Sequence, residues 1–124
     1  MASETALKVL DAARAETLER LCEAIVPGST AAGPVVYIDA LLAGMPPAAR
    51  AGAFASIDEL AGAGDLAALE RTPAFGFVRA LAIEAYYSDF VAPGKDAPGA
   101  WREIDFNSPL ATRLAKDWSF LGIA

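Results

Sequence analysis

Prolines punctuate this chain, and they set the lengths of what can form between them. Pro27, Pro34, the pair Pro46-Pro47, Pro73 and Pro109 each stand at the edge of an apolar stretch of helical length. Proline has no amide hydrogen and a fixed φ, so it suits the first turn of a helix and ends one that runs into it. The 124 residues are enough for one core. The pattern predicts an all-α fold: a small single-domain bundle over residues 1–124, of about five helices, with a long C-terminal loop.

The first helix is expected from Ala12 to Val26, with Asp11 as N-cap and Pro27-Gly28 as its stop. Leu18, Leu21, Cys22, Ile25 and Val26 recur at helical spacing, with Arg14, Glu16, Glu19, Arg20 and Glu23 opposite. A loop of small residues, Pro27–Gly33, follows. The second helix starts at Pro34 and is almost wholly apolar through Val35, Val36, Ile38, Leu41 and Leu42 until Gly44. Pro46-Pro47 opens a third helix carrying Ala51, Phe54, Ile57 and Leu60, closed by Gly62 and Gly64. Asp65–Glu70 reads as a short helical turn. Thr72-Pro73 combines a cap with a first-turn proline and opens the fourth helix, to about Ser88. Residues 90–107 read as a loop with two Pro-Gly turn signals. Ser108-Pro109 starts a last helix with Leu110, Leu114 and Trp118 on one face.

The fourth helix is the odd one. Phe75, Phe77, Val78, Leu81, Ile83, Tyr86 and Tyr87 surround it, and only Arg79 and Glu84 interrupt. A helix apolar on all sides needs cover on all sides, so it is either central or sandwiched against a partner. Within it Glu84 is the carboxylate expected to be buried, paired with Arg79 or Arg102.

Composition excludes much chemistry. The net charge of −6 opposes binding to phosphate backbones and to anionic membrane surfaces. Histidine is absent, so imidazole bases and catalytic triads are ruled out within this chain. A single cysteine, Cys22, allows no intrachain disulfide and no thiolate cluster; on an apolar helix face it reads as a small buried hydrophobe, with a bond to a partner as the alternative. No uncharged run is long enough to span a bilayer, and no basic region followed by an apolar core opens the chain. The sequence as given therefore predicts a cytoplasmic protein, or a periplasmic one if it is exported with a partner. With 55% hydrophobic residues and a mean hydropathy of +0.35, the chain carries more apolar surface than most soluble domains of its size.

No phosphate-binding glycine loop and no nucleophile elbow occurs. The carboxylates Glu84, Asp89 and Asp105 flank an aromatic segment in which acid–base work is conceivable. Tyr86, Tyr87 and Trp101 fit core packing, a protein interface or a small-molecule pocket.

Three segments carry a resemblance. The first is Thr17-Leu18-Glu19-Arg20-Leu21-Cys22-Glu23-Ala24-Ile25-Val26-Pro27, followed by its small-residue loop. The second is Val35-Val36-Tyr37-Ile38-Asp39. The third is Glu84-Ala85-Tyr86-Tyr87-Ser88-Asp89-Phe90, then Pro93-Gly94-Lys95 and Ala100-Trp101. In this order they resemble the gluconate 2-dehydrogenase subunit 3 family, the small gamma-type chain of flavin-dependent sugar and alcohol dehydrogenases. Ala85, Phe90 and Ala100 depart from that family's glycine, proline and glycine.

The resemblance implies a non-catalytic small subunit that binds and stabilises a large FAD-dependent oxidoreductase of the glucose-methanol-choline type. Its substrate would be a sugar, glycoside or other alcohol, and a cytochrome c subunit is a further candidate partner. On this reading the FAD and its base belong to the large chain, and this chain holds no catalytic, cofactor-binding or metal-binding residue. Tyr86, Tyr87, Phe90 and Trp101 are the expected interface anchors, because large aromatics dominate interface energetics. Glu84 and Asp89 are expected to orient the loop. Two alternatives stand beside it: a helical lyase or isomerase using Glu84 and Tyr86, and a folding or export chaperone for the flavoprotein.

Overall fold

The computed structural model describes residues 6–62, 66–103 and 119–122. It is a small all-α bundle, with no strand among the described residues. In chain order the helices are α1 (Ala12–Ile25), α2 (Pro34–Ala43), α3 (Pro47–Ala61), α4 (Leu66–Leu69), α5 (Pro73–Tyr87) and α6 (Ala100–Glu103). Short 3-10 turns occupy Ser29–Ala32 and Ser119–Leu121. The last helix expected from Ser108 lies outside the described residues.

Each start has a local cause. Asp11 Oδ1 accepts from the Arg14 amide at 2.8 Å, and Thr72 Oγ1 accepts from the Phe75 amide at 3.2 Å. Caps of this kind contribute about 1 kcal/mol each. Pro34, Pro47 and Pro73 occupy first-turn positions, where a missing amide hydrogen costs nothing. The corner between α2 and α3 is held by Arg50, whose guanidinium donates to the carbonyls of Leu42, Ala43 and Met45 at 3.0–3.1 Å. Leu42 and Ala43 close the last turn of α2 and Met45 lies just past its Gly44 cap, so the guanidinium supplies donors where the intrahelical ones run out.

α5 is the central helix and packs against α1, α2 and α3. Leu18, Leu21 and Cys22 of α1, Ile38 and Leu42 of α2, Ile57 and Leu60 of α3, and Val78 of α5 are fully enclosed. Truncating a leucine at such a site to alanine typically costs about 2–5 kcal/mol. Arg14 ties α1 to α3 on the outside: it grips Asp58 through two bonds of 3.0 and 2.8 Å and lies 4.4 Å over the Phe54 ring.

α5 departs from the expected all-round burial. Gly76, Arg79, Ala80, Glu84 and Tyr87 fall on one exposed stripe, with Ile83 half-buried beside them. Glu84 is therefore exposed, not buried, and its partner is neither arginine. Residues 90–107 also contain structure: α6 forms after Gly99.

One acid lies deep in the fold. Asp39, in the apolar α2, is 2% exposed. Its Oδ2 accepts from the Lys8 amide at 2.6 Å, and its Oδ1 accepts from the Val9 and Leu10 amides at 3.0 and 2.9 Å. A buried carboxylate demands such donors. The segment before α1 is held against α2 in this way, and Leu10 enters the core.

Candidate functional site

The site is built around the end of α5. Ser88 caps the helix, its amide donating to Glu84 O at 3.1 Å and its hydroxyl to Ala85 O at 3.1 Å. Asp89 follows in the left-handed region at φ 69°, a position that favours glycine or asparagine after a helix. Its side chain crosses the loop, and Oδ1 accepts from the Trp101 amide at 3.1 Å. Gly99, at φ 85°, passes so close to this carboxylate that a Cβ there would collide with Asp89 Oδ1. The Trp101 indole N–H then donates to the Tyr87 carbonyl at 3.0 Å. The loop after α5 thus returns to the helix end it left, and one of the orphan carbonyls there gains a donor.

The same loop rests on the turn that follows α1. The Ala92 amide donates to Ala32 O at 2.8 Å. Gly33, at φ 70°, sits where a Cβ would stand 2.7 Å from the Ala92 side chain. Glu23 braces this turn by accepting from the Gly28 amide and the Thr30 hydroxyl, both at 2.7 Å. These bonds hold its carboxyl below the usual range, the Gly28 amide contributing most.

Tyr37 of α2 joins the arrangement from beneath. Its ring meets Phe90 edge-on at 5.3 Å, and its hydroxyl donates to Glu84 Oε2 at 3.0 Å. Burial, followed by the Glu84 carboxylate, raises the Tyr37 pKa above its ordinary value.

The sequence-expected residues are thus divided. Tyr87 is 42% exposed, Tyr86 and Trp101 are half-buried, and the two tyrosine rings meet edge-on at 5.2 Å. Phe90 is 1% exposed. It is a core residue clamped by Tyr37 and leaves the set of interface anchors, because the left-handed Asp89 turns the chain inward. Glu84 and Tyr86 are not brought together. Two residues apart on a helix, they point to nearly opposite sides. Glu84 meets Tyr37, while Tyr86 lines a cleft of about 130 Å³ with Pro27, Gly28, Ala31 and Pro98. A broader groove of about 480 Å³ is lined by Ala24, Ile25, Glu70, Phe75 and Arg79. Among the described residues no three potential metal-ligating side chains converge. None of the helices described is long and apolar enough to cross a membrane. Cys22 is enclosed, and burial pushes its thiol up to about 12.

Sequence reasoning missed Tyr37 and Asp39 as organising residues. Asp39 carried a usable signal, as the one charge in an otherwise apolar helix. Tyr37 carried none, because its partners lie in α5 and the loop beyond it. Comparison of the chain with protein-family models, with curated proteins and with solved structures gives no match.

Proposed function

We propose that this chain is a non-catalytic small subunit that binds and stabilises a large FAD-dependent oxidoreductase of the glucose-methanol-choline type, acting on a sugar, glycoside or other alcohol. One observation carries the reading. The third segment on which the family resemblance rests is far in sequence from the first two, and it touches the second and the loop after the first. Ala92 bonds Ala32, Tyr37 bonds Glu84 and packs on Phe90, and Trp101 bonds Tyr87. Together they hold one aromatic ring outward and two half-covered at the end of α5. Tyrosine and tryptophan are enriched in the centres of protein interfaces, and a surface fixed in advance loses little entropy on docking.

On this reading Tyr86, Tyr87 and Trp101 touch the large subunit, while Glu84, Asp89 and Phe90 hold them in place. FAD resides in the large chain, and a cytochrome c subunit is a candidate third component. Purification of the tagged chain from its own host tests the proposal. The expected product is a heteromer that releases flavin on denaturation, with a large second polypeptide. A flavin-free monomer or homodimer overturns it.

A further inference from the structure

We infer that Lys8 couples the two ends of the described chain, so that the segment before α1 and the C-terminal turn detach as one unit. Lys8 donates from both its backbone and its side chain. Its backbone amide donates to buried Asp39 Oδ2 at 2.6 Å. Its ammonium donates to the carbonyls of Leu121 and Gly122 at 3.1 and 2.9 Å. The turn at Ser119–Leu121 therefore hangs on a side chain whose own position is set by a carboxylate in α2. Gly122 lies close enough that a Cβ there would stand 2.6 Å from Lys8 Nζ, at a φ of 68° that favours glycine. Leu121 is 4% exposed and belongs to the same core as Leu10. Apolar packing and charged hydrogen bonds thus join the same two ends.

The bonding of Asp39 allows a selective break. In Asp39→Asn the amide oxygen can keep both bonds now made by Oδ1, to Val9 and Leu10. The amide nitrogen then replaces Oδ2 and faces the Lys8 amide donor to donor. The lesion falls on residue 8, and its consequence is expected 113 residues away in sequence, at Leu121.

The test is NMR on the full chain. In Asp39→Asn the Lys8 amide is expected to exchange about tenfold faster or more, as for loss of a hydrogen bond to a charged group. The ¹⁵N order parameters of Leu121 and Gly122 are expected to fall from about 0.85 to below about 0.6. In Lys8→Met the same two order parameters fall, while the amides of residues 8–10 keep their protection, because the backbone bonds to Asp39 survive. Wild-type rigidity of Leu121 and Gly122 in either variant overturns the inference. A urea series on the unaltered protein covers the case in which Asp39→Asn fails to fold. The amides of Lys8–Leu10 and the methyls of Leu121 are expected to lose their native signals together, and separate losses overturn the coupling.

Discussion

The indole N–H of Trp101 and the carbonyl of Tyr87 are joined at 3.0 Å, and this bond closes the loop after α5 onto the end of the helix. Replacing Trp101 by phenylalanine removes the donor and keeps an aromatic ring in place. The Tyr87 carbonyl is open enough for water to replace the indole, so the expected loss is about 1 kcal/mol of folding stability. Urea unfolding of Trp101→Phe measures it.

Glycines at 28 and 33 share a left-handed backbone and differ in their surroundings. A Cβ at Gly28 meets nothing within 4 Å, whereas one at Gly33 meets Ala92 at 2.7 Å. Gly28→Ala should cost about 1–2 kcal/mol, from backbone strain alone. Gly33→Ala adds an overpacking cost of about 1–3 kcal/mol. By contrast Gly52→Ala, inside α3 with open space around it, should stabilise by about 0.5–1 kcal/mol. Thermal unfolding of the three variants checks the ranking Gly52→Ala, Gly28→Ala, Gly33→Ala, from most to least stable.

Cys22 should resist thiol reagents at neutral and mildly alkaline pH, labelling only when the protein unfolds. The folded thiol titrates near 12 against an ordinary value of 9.0, because burial disfavours the thiolate. Between those values the native state holds more protons than the unfolded one. Its contribution to stability is intact below about pH 9 and declines as pH rises, with a limiting slope of about 1.4 kcal/mol per pH unit. The raised Tyr37 phenol acts in the same direction. Cys22→Ala should flatten the alkaline limb of a stability–pH curve, whatever it does to the stability at neutral pH.

Tyr37 and Glu84 form one hydrogen bond across α2 and α5. Tyr37→Phe should cost about 1 kcal/mol without emptying the core, since the ring still packs on Phe90. Glu84→Gln leaves an acceptor and should cost less. A double-mutant cycle between Tyr37→Phe and Glu84→Ala is expected to give a coupling of at least about 0.5 kcal/mol.

Tyr87 separates binding from folding. With 42% of its surface open, Tyr87→Ala should change stability little. If Tyr87 anchors the flavoprotein as proposed, truncation costs about 2 kcal/mol of binding, or about a thirtyfold weaker Kd. Titration of the large subunit with wild-type and Tyr87→Ala chains measures the ratio.

Helix starts were readable in the sequence because their causes are local. Asp11 and Thr72 bond amides three residues on, and prolines act through their own φ. Long-range pairings were not. The exposure of Glu84 depends on the alignment of Gly76, Arg79 and Ala80 on one stripe, small and charged residues that leave α5 uncovered there. Phe90 was misjudged because only the left-handed turn at Asp89 decides whether the next side chain points inward. α6 was hidden inside an apparent loop. Its start is fixed by the Asp89 carboxylate twelve residues earlier.

The close approach of Gly33 to Ala92 has an evolutionary corollary. Two backbones that nearly touch leave no room for either residue to grow alone. Homologous chains should therefore show position 33 restricted to glycine wherever position 92 bears a methyl group or anything larger. A bulkier residue at 33 should appear only beside a glycine at 92 or a shortened connection there, a covariation visible in any aligned set of such sequences.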